Sequence, residues 1–214
     1  MTALQTAALI IFVLSVSYIY SKADIKGAFA ASGTRLAVVN ATAVLLLFWL
    51  LRLHTSLGPD IHFLLATALT LTLGFRIATI CATCCLVITC IAGSVSWSML
   101  GVQGIATILI PVGLTYTVYA LSFHKIPRNF LVYIFLCAFL PAALALGAAM
   151  LTLAGYYVLD GIYDSYAIID NYVMIIPLML FPEALLNGTA ITLLVVYKPE
   201  WVYTFHDKFY FDDQ

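Results

Sequence analysis

The sequence predicts an all-α, polytopic membrane helix bundle. Three observations carry that prediction. The chain is 64% hydrophobic and only 9% charged, with a mean hydropathy of +1.08, whereas a soluble domain is about a quarter charged. Its apolar runs are long and do not alternate with polar residues, which argues for helices rather than barrel strands. Its basic residues fall in alternate connections between those runs. The 214 residues read as one integral membrane domain, 1–214. The formal net charge is −1 and no basic patch exists, so nucleic acid is not an expected partner.

A helix crossing about 30 Å of hydrocarbon needs roughly 20 residues, and about seven transmembrane helices are expected, at residues 4–20, 36–53, 61–75, 77–92, 102–122, 130–158 and 172–197. The first run has no basic stretch before it and no small-residue cleavage pattern after it, so it reads as a retained span. The third and fourth are short, and Gly74, Phe75 and Arg76 between them predict a tight helical hairpin, with one long kinked helix, and one span fewer, as the alternative. In the sixth, Pro141 permits a kink, and Ala143, Gly147 and Ala148 offer a face for close helix approach. The aromatic tail WVYTFHDKFYFDDQ is expected at the membrane interface, as an anchor or a docking segment.

Lysine and arginine set the orientation. Lys22, Lys26 and Arg35 follow the first span, Arg76 the third, Lys125 and Arg128 (in HKIPR) the fifth, and Lys198 and Lys208 the seventh. With seven spans all of these share one side, the cytoplasmic one, and only Arg52 dissents. The N-terminus is then outside and the C-terminus inside, in a multi-pass protein of the inner (plasma) membrane. The outer connections carry Asp60 and His62, then Asp160, Asp164 and Asp170. His54 is expected at the interface, and His124 and His206 on the cytoplasmic side.

Four groups of polar residues invite a functional reading. His62 with Asp60 opens the third span: imidazole suits nickel, cobalt, copper and zinc, and a carboxylate can ligate or orient the ring. Being two apart, they do not face each other on a regular helix, so Asp60 is expected as the helix N-cap. Cys81, Cys84 and Cys85 share a helix face that could hold a soft ion, but cysteine is also an ordinary small filler in such a helix. Glu183 stands near the middle of the last span, where a charge costs about 2.5–3.5 kcal/mol. It is expected to face the interior, with Asn187 one turn on as its partner, in a gate or in a structural knot. The acidic outer loop attracts cations or is merely solvated. No P-loop, hydrolase elbow, zinc-protease motif or nucleophile–base pair stands out, so an enzyme is not expected, and no internal repeat points to an inverted-repeat transporter.

Three stretches, in order, carry a resemblance: DIHFLLATALTLTLG, SMLGVQGIATILIPVG and FPEALLNGTAITLLVVYKPEW. From roughly Gly58 to Trp201 the chain resembles the CbiM/NikM-type substrate-capture permeases of energy-coupling-factor transporters of the cobalt/nickel type. The resemblance implies seven helices, an outer-facing site, a divalent transition metal as substrate, and a transmembrane coupling protein and ATPase subunits as partners. It implies His62 as a metal ligand and Gln103 as the amide standing where the family carries asparagines. Gln103, Glu183 and Asn187 would then lie on the substrate pathway or its gate. The family's N-terminal histidine is replaced by Thr2. That replacement fits a second reading, a non-transporting accessory membrane subunit of a metal or redox complex.

Overall fold

The computed structural model describes residues 1–30, 32–52, 59–125 and 129–205. His54, Arg128, His206 and Lys208 lie outside the described residues, as do the side chains of His124 and Lys125. Ten α-helical segments follow one another: α1 (Ala3–Ser21), α2 (Ile25–Ala30), α3 (Ser32–Leu50), α4 (Ala66–Ile91), α5 (Leu100–Gln103), α6 (Ile110–Lys125), α7 (Phe130–Tyr133), α8 (Leu140–Leu159), α9 (Ser165–Asn171) and α10 (Ile176–Tyr197). Leucine, alanine and isoleucine runs form them, and no strand occurs among the described residues.

Among the described residues, six helices are long and apolar enough to cross a membrane. The seventh crossing is hidden inside α4, which breaks at Gly74 (φ 75°, ψ 162°), a conformation open to glycine and costly to any L-residue with a Cβ. A straight helix of that length would hold its ends about 39 Å apart. Instead both ends lie at the C-terminal end of α3. Trp49 Nε1 donates to the Leu64 carbonyl at 3.1 Å, and Cys90 is within electrostatic reach of Arg52. The chain therefore turns back on itself at Gly74, and the expected hairpin is present. Its first limb, residues 66–73, is too short to cross alone. Residues 59–65 complete the crossing in non-helical form, so the helix expected over 61–75 begins only at Ala66.

Irregular backbone at membrane depth is tolerated only when buried in protein. Accordingly Ile61, His62, Leu64 and Leu65 are all buried, between α3, α8 and α10. The remaining kinks have proline causes. π-helical turns at Gly104–Leu109 and Ile134–Phe139 run up to Pro111 and Pro141, whose rings would clash with the carbonyl four residues back in a regular helix. The tightest glycine contacts lie at positions other than Gly147. Gly101 meets the α1 backbone at Ala8 and Leu9, and Gly188 meets the Phe139 ring, while Gly147 would have only ordinary contact with Leu180.

The two ends of the bundle differ in charge. At one end Gln5 Nε2 donates to Tyr156 Oη and Tyr156 Oη to Asp160, each at 2.9 Å; Asp60, Asp164 and Arg52 lie at this end. At the other, Arg76 Nη1 donates to the Lys22 carbonyl at 2.6 Å, and Lys198 follows α10. Residues 202–205 pack onto the bundle, while the rest of the aromatic tail, 206–214, lies outside the described residues. Val202, Thr204 and Phe205 are buried, and the segment docks on the hairpin turn through Tyr203 N–H to Thr72 O and Thr204 N–H to Leu71 O (3.1 and 3.2 Å).

Candidate functional site

The short limb of α4 needs partners at its start, because the first N–H groups of any helix have none within it. Asp60 does not supply them. It stands six residues before the helix begins at Ala66, and Leu65 in the N-cap position makes no side-chain cap. The cap comes from α10, more than a hundred residues away. Glu183 Oε2 accepts from Leu64 N–H at 3.0 Å, and Oε1 accepts from Leu65 N–H at 2.8 Å. Asn187 Oδ1 accepts from Ala68 N–H at 2.8 Å, and Asn187 Nδ2 donates to Glu183 Oε1 at 2.8 Å. Glu183 is 1% exposed and Asn187 0%, so both carboxylate oxygens are satisfied without water.

This arrangement explains a strained residue. Leu65 has φ 50°, in the left-handed region that a non-glycine residue rarely visits. Turning there aims two successive N–H groups at one carboxylate, an anion-binding concavity at a helix N-terminus. The expected pairing of Glu183 with Asn187 is present; what the pair grips is backbone. Composition gave no signal for this, since the partners are ordinary leucine and alanine amides.

His62 is held two residues before that clamp. Its ring packs edge-on against Trp49, with centroids 5.6 Å apart at 80°. It is 9% exposed, and its Nε2 is buried with no hydrogen-bond partner. Inward, His62 faces a cavity of about 10 Å³ that Asp60, Thr107, Met150 and Tyr172 also line, room for about one water. Outward, it faces a larger cavity of about 440 Å³ that includes Arg52, Phe48, Phe63 and Met179. Asp60 and His62 are thus brought to one cavity, and Leu64, gripped by Glu183, lines it too. Gln103 is not among the lining residues. It sits one turn before Thr107, which donates to its carbonyl at 2.7 Å, and its Oε1 is buried without a partner.

The cysteines separate. Cys81 and Cys85 are buried and Cys84 is exposed, and Cys85 makes only a long contact to the Thr42 carbonyl, 3.6 Å. Among the described residues no three His, Cys, Asp or Glu side chains group so as to hold a metal. Thr2 caps α1 in a reciprocal capping box with Gln5 (Gln5 N–H to Thr2 Oγ1, 3.2 Å; Thr2 N–H to Gln5 Oε1, 3.0 Å), and Met1 is 67% exposed.

With that geometry in hand, comparison with known proteins is informative. Residues 1–201 match the profile of CbiM, the cobalt uptake substrate-specific transmembrane region. The chain belongs to the CbiM family. It is a membrane component of transition-metal uptake. Two crystal structures share the fold of this CbiM-family chain. One is of a transition metal transporter (18% identity, TM-score 0.72, covering 90% of this chain and 86% of that one). The other is of a truncated transition metal transporter (19%, TM-score 0.72, 92% of each chain). No curated protein matches the sequence of this CbiM-family chain.

Proposed function

We propose that this protein is the substrate-capturing component of a divalent transition-metal importer, that it binds its substrate at His62, and that a transmembrane coupling protein and ATPase subunits drive it from the cytoplasmic side. The observation that carries the reading is His62 itself: a buried imidazole whose Nε2 is without a partner, on a side chain that lines a cavity shared with Asp60. A neutral imidazole nitrogen is a good ligand for nickel, cobalt and zinc, and a buried polar atom without a partner is costly unless something fills it. The opposite charges of the two bundle ends support an acidic end outside and a basic end in the cytoplasm, in the plasma membrane. Asp60 would ligate or orient. Gln103, Glu183 and Asn187 belong to the same neighbourhood, Glu183 and Asn187 by holding the His62 segment.

Titrating purified protein with nickel, cobalt, zinc and copper tests the reading. Binding of at least one metal, abolished by His62→Ala with thermal stability nearly unchanged, is the expected result. One observation favours the accessory-subunit reading: Thr2 is committed to capping α1 and Met1 is exposed. Absence of binding by any metal in the parent protein, free or chelated, decides for that alternative.

A further inference from the structure

Arg52 is the one basic residue that breaks the charge pattern of the connections, and it stands beside His62. Its Nε donates to the Trp49 carbonyl at 3.1 Å, it interacts electrostatically with Asp60 and His62, and its Nη2 is buried with no hydrogen-bond partner. Arg52 and His62 share the cavity of about 440 Å³, whose other described lining residues, Phe48, Leu50, Leu51, Ile61, Phe63 and Met179, are apolar. This is a poor home for a bare ion. A dication there meets a fixed guanidinium, and once Asp60 is set against Arg52 the ion's full charge is left uncompensated at a half-buried mouth. Repulsion of that kind is strong where water is scarce. Among the described residues the ligand count is also short, with one imidazole, one carboxylate and no cluster of three.

Both difficulties vanish if the metal arrives already chelated. Six waters at about 30 Å³ each would occupy roughly 180 Å³, so the cavity has room for more than a hydrated ion, and its volume is that of a small-molecule site. Resting on the capture function proposed above, we infer that the substrate of this site is a transition-metal ion held in a small carboxylate-bearing chelate, with His62 supplying a ligand and Arg52 gripping a chelator carboxylate. A guanidinium suits that task because its planar fork pairs with a carboxylate through two parallel hydrogen bonds. The carboxylates fill the coordination positions that the protein leaves open, and they cancel the charge that Arg52 would otherwise oppose.

Equilibrium dialysis of the purified full chain with radiolabelled nickel and differently labelled citrate tests this. The parent is expected to retain nickel and citrate together at one to one, and to bind the chelate at least 10-fold more tightly than free nickel. Arg52→Gln should weaken chelate binding at least 10-fold without weakening free-nickel binding, because the charge that repels the bare ion is gone. Arg52→Lys, which keeps the charge and the stem, should restore only part of the chelate binding, and its thermal midpoint guards against a folding defect. His62→Ala should lose both metal forms. Free nickel binding as tightly as the chelate, or citrate retained equally well without metal, overturns the inference and leaves metal capture standing in the first case. Retention of neither metal form removes the capture reading and this inference with it.

Discussion

Glu183 carries the highest stakes of any single side chain. Its carboxylate accepts two backbone N–H groups and one amide N–H while 1% exposed, and a hydrogen bond to a charged group is worth about 1.5–3 kcal/mol. Glu183→Ala is expected to destabilise the protein by about 3–5 kcal/mol, because it leaves N–H groups buried and unpaired. Glu183→Gln should cost about 1–3 kcal/mol, since its amide turns a donor toward a donor. Unfolding in detergent reads both. Faster amide hydrogen exchange confined to residues 61–68 would separate local loosening from global loss. Thr2→His is expected to lower stability by about 0.5–1 kcal/mol through the lost cap without raising nickel affinity, as calorimetric titration would read. Simultaneous Cys81→Ser, Cys84→Ser and Cys85→Ser should leave metal content unchanged, as elemental analysis can check. The costliness of Glu183 was legible in the sequence, because an acid inside an apolar run always needs a partner. Its partners were not, because backbone amides look alike in every residue and only the tertiary fold brings them within reach.

Among the elements, the α4 hairpin decides most. Gly74 combines a positive φ with close contact: an added Cβ would lie 2.9 Å from Tyr203 Cδ1. Gly74→Ala is therefore expected to cost about 2–3 kcal/mol, of which the dihedral part is about 1–2 kcal/mol. Trimming the ring with Tyr203→Ala in the same background should recover only the contact part. A double-mutant cycle on thermal unfolding would show the two as coupled; simple additivity would remove Tyr203 as the neighbour that matters. The glycine–aromatic–arginine break announced this turn in the sequence. The non-helical start of the same crossing was hidden, since residues 61–65 are as apolar as any helix. Hydropathy reports burial in lipid or protein alike, and only Leu65's left-handed backbone and the carboxylate beneath it distinguish the two.

The whole molecule has its acidic and basic ends separated, with the described chain beginning at one and reaching Phe205 at the other. Single cysteines at Ser165 and Lys198, in a background without native cysteines, are expected to react with impermeant maleimide from outside and only after permeabilisation, respectively. Labelling of both from one side would break the seven-crossing topology. The helical membrane bundle was legible from hydropathy because that is a property of the chain at each position. The cavity beside His62 was not, since it is made by what α3, α8 and α10 leave unfilled between them.

The clamp on the short limb also sets an order of events during synthesis. The limb's first amides are answered by Glu183 and Asn187, and the Leu71 and Thr72 carbonyls at its far end by Thr204 and Tyr203. Every one of those partners leaves the ribosome more than a hundred residues after the segment that needs it. Until then residues 59–73 have no stable place in the bilayer, because backbone polar groups cannot be left open to lipid. The third crossing therefore settles last, although it is among the first to be translated. A nascent chain halted before α10 would present that segment to the insertion and quality-control machinery as unfinished. Supplying α10 and the residues after it as a separate fragment should then rescue the halted chain from proteolysis, and a fragment carrying Glu183→Ala should do so poorly.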